Sequence, residues 1–179
     1  MTTETSQDLY GTLSPDGRQL TFYSNRTGEN RVYVVERAAA AWSSPRQVSQ
    51  GLGTYAQWLD NHTVIYGVTG SLRAVGADGA GDREIVPSPF LHQGRRNEVR
   101  YARVAPDGRT VFLKAADSAS VASFWSFPAT GGTPRPLIWF DDDTRPSSRQ
   151  EFATDGKHLY FTIENRQSDI FVMELRTGP

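Results

Sequence analysis

Apolar and polar residues alternate with period two in short runs along the chain, and one such run returns four times. The pairs Leu20/Phe22, Val64/Tyr66, Val111/Leu113 and Leu159/Phe161 each sit two residues apart, the spacing of a strand with one face turned inward. Each run follows a tight turn: Asp16-Gly17, Asp60-Asn61, Asp107-Gly108 and Asp155-Gly156. Gly and Asn tolerate the positive φ that such hairpin turns need. Just before each turn a large apolar residue closes another short strand: Leu13, Trp58, Val104 and Phe152. A third strand follows over residues 31–36, 71–76, 123–128 and 169–175. A weaker fourth is expected around Gln47-Val48, Glu84-Ile85-Val86 and Leu137-Ile138-Trp139. Ala38 to Ala41 is too short to nucleate a helix. The pattern predicts an all-β chain.

The turn aspartates Asp16, Asp60, Asp107 and Asp155 are separated by 44, 47 and 48 residues, a period of about 40–50 that belongs to a four-stranded propeller blade. The expected organisation is a single β-propeller region over residues 1–179, with repeats at about 9–50, 51–88, 99–140 and 148–177.

SPDGRQLTFYSNRTGENRVYVVE (Ser14 to Glu36) and TDGKHLYFTIENRQSDIFVMEL (Thr154 to Leu175) resemble the Ser-Pro-Asp-Gly, WD-like propeller repeat of the TolB-type family. The third unit keeps APDGR but lacks the Asn-Arg loop, and the second lacks Pro and Gly in its turn. The resemblance implies a ring of six or seven blades, of which four repeats are one part. The last repeat ends after its third strand at Leu175, and Thr2 to Asp8, the one candidate for its outer strand, carries no apolar residue. The expectation is therefore a C-terminal portion of a larger propeller. A compact four-bladed ring and an arc that closes by self-association through open blade edges are the alternatives.

Composition narrows the functions. Net charge is -1 and the pI is about 6.3, so no nucleic-acid partner is expected. No run approaches the length of a membrane span, and residues 1–17 lack the basic start and apolar stretch of a signal peptide. A periplasmic or extracytoplasmic parent is nevertheless compatible with the family. The absence of Cys removes disulfides, thiolate metal sites and Cys nucleophiles. His62, His92 and His158 do not share metal-ligand spacing, so no metal is expected. There is no nucleophile elbow, triad grammar or phosphate loop, so no catalytic residue and no cofactor are expected.

What remains is binding. Function concentrates on loops carried by a rigid scaffold, and two inter-repeat connections stand out. Residues 87–99 hold His92, Arg95, Arg96 and Glu98; residues 140–149 hold Asp141, Asp142 and Asp143. If both connections open on one rim, they form a charged grip for a protein or peptide. Thr12, Gln57, Arg103 and Glu151 occupy one register on the innermost strands and are expected to line the channel, with Arg103 and Glu151 paired across adjacent blades. The Asn-Arg loops at residues 25–30 and 165–169 are expected to hold their own backbone. The resemblance implies a non-catalytic, TolB-like scaffold. Its alternatives are the substrate-gating propeller of a prolyl-oligopeptidase-like peptidase and the sensor region of a bacterial kinase or regulator.

Overall fold

A computed structural model describes residues 6–39, 41–140, 147 and 149–164. It is all-β, built from antiparallel sheets in chain order. The first sheet contains β1 (Asp8–Leu13), β2 (Gln19–Ser24) and β3 (Arg31–Ala38), with two short strands, β4 (Ala41–Trp42) and β5 (Arg46–Gln47), both pairing with β3. The second runs β6 (Thr54–Trp58), β7 (Thr63–Val68), β8 (Ser71–Gly76) and β9 (Arg83–Val86) in that order. The third has five strands: β10 (Phe90–His92), β11 (Arg95–Val104), β12 (Thr110–Asp117), β13 (Ala122–Pro128) and β14 (Arg135–Trp139). A two-stranded sheet, β15 (Ala153–Thr154) with β16 (Leu159–Tyr160), represents the fourth unit. Its expected third strand, Asp169–Leu175, lies outside the described residues.

The repeat aspartates explain why four different sequences turn at the same place. Only Gly17, Gly108 and Gly156 take the expected positive φ. Asn61 does not, and its turn closes one residue shorter than those of Gly17 and Gly108, from the Leu59 N–H to the Thr63 carbonyl. Oδ1 of Asp16 accepts from the Arg18 N–H at 3.0 Å, that of Asp60 from His62 and Thr63, that of Asp107 from Arg109, and that of Asp155 from Lys157 and His158. The carboxylate thus satisfies backbone donors that a bare turn would leave unmade. Gly108 sits in its turn at φ 66°, where an added Cβ would lie 3.3 Å from the Leu59 carbonyl oxygen. Gly108→Val is expected to cost about 2 kcal/mol through the left-handed backbone alone. An unchanged melting temperature would contradict that turn geometry.

Alternation places one set of side chains on each sheet face, and the sheets bury these faces against each other. Val32 and Val34 of the first sheet meet Trp58, Val64 and Tyr66 of the second. Ile65, Leu72, Ala74 and Val86 then meet Val111, Leu113, Trp125 and Phe127 of the third. Phe124 and Tyr101 pack on Phe152, Leu159 and Phe161 of the fourth unit.

One expectation fails in the connection over residues 87–99. Phe90–His92 and Arg95–Asn97 pair as a hairpin, so this stretch is not a loop. It adds β10 to the third sheet and lengthens β11 to ten residues. The hairpin folds back over the sheet and lays Phe90 against the Trp125 ring at 5.0 Å. Burial of that apolar edge is the physical reason the segment orders as strand.

Candidate functional site in the channel groove

The innermost strands β1, β6 and β11 run in the same sense, so their first residues gather at one end of the channel and their turns at the other. At the first end a bulge interrupts each strand: between Leu9 and Thr12, between Thr54 and Gln57, and between Val99 and Tyr101. Tyr10 and Tyr55 take positive φ there, 54° and 52°, an uncommon backbone for an aromatic residue. The result is a continuous aromatic layer. Tyr10 lies 4.8 Å from Tyr55, Tyr55 lies 5.3 Å from Tyr101, and Tyr101 lies 5.8 Å from Phe152, all edge to face.

Tyr10 also donates its phenol to Glu151 Oε1 at 2.8 Å, joining the first unit to the fourth. That hydrogen bond holds the Tyr10 phenol well above its ordinary pKa and lowers that of the Glu151 carboxyl. The expected Arg103–Glu151 ion pair is therefore not formed. Arg103 instead donates Nε–H to the Phe152 carbonyl at 3.1 Å and sets its guanidinium over the Tyr101 ring at 5.2 Å.

At the turn end the channel widens into a groove of about 560 Å³. Thr12, Gln57 and Arg103, three of the four expected channel residues, meet there; Glu151 belongs to the aromatic end. Each of the three spends a donor on the next unit's backbone. Thr12 Oγ1 donates to the Ala56 carbonyl at 3.3 Å and Gln57 Nε2 to that of Ala102 at 2.8 Å, as Arg103 does to Phe152. The recurring polarity seen in the sequence is thus first a lacing of inner strands. Leu13, 57% exposed, Trp58 and Val104 form the apolar wall of the groove, and Asp60 and Asp107 stand at its mouth.

The remaining candidates lie at the opposite end. His92 packs on Trp125 at 4.9 Å. Arg95 pairs with Asp117 at 3.3 Å and covers Trp139 at 5.2 Å. Arg96 is exposed beside Leu91, its β10 partner, which is 70% exposed. Glu98 pairs with Arg100 at 3.4 Å. Asp141, Asp142 and Asp143 lie outside the described residues, as does the loop at 165–169. The loop at residue 25 was expected to hold its own backbone, but its side chains reach other segments: Asn25 Oδ1 accepts from the Gln7 N–H at 2.8 Å, and Arg26 binds Asp8 at 2.9 Å and lies over Tyr33 at 4.7 Å. His62 and His158 are exposed turn residues, and among the described residues no cluster suits a metal ion.

Sequence reasoning missed Lys114. It sits in the middle of β12, 3% exposed, and donates to Ser147 Oγ at 2.7 Å and to the Arg149 carbonyl. Ser147 Oγ in turn donates to the Thr162 carbonyl at 2.8 Å. The one sequence signal was a charged residue inside the apolar run Val111 to Ala116.

No protein-family model and no curated protein matches the chain. Solved structures do. The putative TolB from Agrobacterium tumefaciens superposes with a TM-score of 0.61 at 15% identity, over 77% of this chain and 51% of that one. TolB from Acinetobacter baumannii gives 0.57 at 15% identity, over 84% and 36%. Oligogalacturonate lyase from Vibrio parahaemolyticus gives 0.57 at 11% identity, over 87% and 52%. At these identities the likeness defines the fold: the sheets are blades of a TolB-like β-propeller. The chain spans between about a third and a half of the length of these structures.

Proposed function

We propose that the chain is a non-catalytic binding module that takes an extended protein or peptide segment into the groove at the turn end of its channel. The observation that carries this reading is the groove itself. Three units contribute to its walls, its apolar side is solvent-exposed at Leu13, and its polar side is preorganised by inter-blade hydrogen bonds. Preorganised concave surfaces with a few fixed polar groups are the usual seats of ligands.

Short random peptides selected on the purified chain test the reading by calorimetric titration. Leu13→Glu, at an exposed groove position, is expected to weaken the selected peptides about tenfold or more, an effect of hot-spot size. Leu91→Glu on the distant hairpin is expected to leave them unchanged. The reverse result moves the partner to the rim of His92, Arg95 and Arg96, and failure to select any peptide removes the binding function.

A further inference from the structure

We propose, resting on the reading of the groove as a peptide seat, that the bound segment presents a carboxylate, which Arg103 receives through its two terminal nitrogens. Arg103 stands at the inner wall of the groove, near the end of β11. Its Nε–H is fixed on the Phe152 carbonyl and its guanidinium plane is fixed over Tyr101. These two contacts set the plane and direction of the group and leave both terminal NH2 groups without a hydrogen bond to any described residue. The acid that the sequence offers as its partner, Glu151, is taken by Tyr10.

A guanidinium held at Nε and stacked on an aromatic ring has already lost its rotamer freedom. Its open edge matches the two oxygens of one carboxylate, and Lys cannot reproduce that geometry. The acids that line the groove do not fill the role: Asp60 and Asp107 keep Oδ1 on the backbone N–H groups of their own turns. They favour a cationic or neutral residue beside the carboxylate and disfavour a run of acids. The ligand is therefore an extended chain that enters carboxylate first, either as a free C-terminus or as a single acidic side chain, with an apolar neighbour against Leu13 and Trp58.

The test compares N-acetyl-Lys-Leu-Ala-Leu carrying a free C-terminal carboxylate with its C-terminal amide and with N-acetyl-Lys-Leu-Glu-Leu-amide. Each is titrated calorimetrically into wild type, Arg103→Lys and Arg103→Gln, with melting curves to confirm the fold. The free acid or the glutamyl peptide is expected to bind wild type about tenfold tighter than the plain amide, the difference a charged hydrogen-bonded pair supplies. Which of the two binds tighter separates terminal from side-chain recognition. Arg103→Gln is expected to abolish the preference, and Arg103→Lys to keep only part of it. Acid and amide binding equally would overturn the carboxylate assignment while leaving the groove as a peptide seat. Binding of none of the three, where library-selected peptides still bind in a Leu13-dependent way, would also reject it.

Discussion

Replacing Trp125 with alanine is expected to cost about 4 kcal/mol, within the range of a buried Trp lost to a cavity. The indole is fully buried. Phe90, His92 and Trp139 all pack on it, at 5.0, 4.9 and 5.9 Å, and its Nε1–H is satisfied by Ser123 Oγ at 2.8 Å. No shift of one neighbour can refill the space, because the hairpin above the ring is held by its own pairing with β11. Against a total stability of about 5–15 kcal/mol for an ordinary domain, the loss removes between about a quarter and four-fifths of the folding margin. Urea unfolding followed by circular dichroism measures it. A loss below about 1 kcal/mol would mean that the fold-back of β10 does not close over Trp125. His92→Ala removes one partly exposed contact and is expected to cost about 1 kcal/mol or less.

The second large effect is a pH dependence. Burial pushes the Lys114 ammonium down to about 8 from its ordinary 10.5, and Glu151 and Glu164 act in the opposite direction from a distance. Among the described residues no carboxylate pairs with it directly; its partners are a hydroxyl, a carbonyl and the face of Phe124 at 5.6 Å. Between pH 8 and 10.5 the unfolded chain binds the proton that the folded chain has released. Folding is then favoured more as pH rises through that window, and the penalty for burying the charge is complete below pH 8. Relative to Lys114→Met, the wild type is expected to gain about 2 kcal/mol between pH 7 and 9.5. The difference between the two proteins is the quantity to measure. Tyr23, Tyr66 and Tyr101, whose phenols burial holds above their ordinary range, titrate in both and work in the opposite direction at still higher pH. A constant difference across the window would show that Lys114 reaches water.

The strands, the turns and the fold class were legible because they rest on neighbours in the chain. An Asp that accepts the N–H two residues on, a Gly at positive φ and an apolar residue at every second position are local facts. The repeat multiplied that signal fourfold, and the same pattern reappears as sheets with the expected faces inward. The register of Thr12, Gln57, Arg103 and Glu151 was also legible, but three of them meet in the groove and the fourth turns to Tyr10. Arg103 and Glu151 carry opposite charges at matching positions, yet pairing depends on the separation and tilt of two blades, and nothing in either residue encodes that.

By itself, then, the sequence determined an all-β chain of propeller type, the turn aspartates that end each inner strand, and the polar register of the inner strands. Only the tertiary structure decided that residues 90–104 form a hairpin and an extended strand, that Tyr10, Tyr55 and Tyr101 meet edge to face along one end of the inner strands, and that Lys114 is buried against Ser147. It alone left the terminal nitrogens of Arg103 without a partner among the described residues. The reason is physical. Apart from the hairpin's own pairing, these contacts join residues from about thirty to more than a hundred positions apart, and many of their acceptors are backbone carbonyls, which every sequence carries alike. Which carbonyl a side chain reaches is set by how the sheets twist and pack, and that is settled only when the apolar faces of all the blades are buried together.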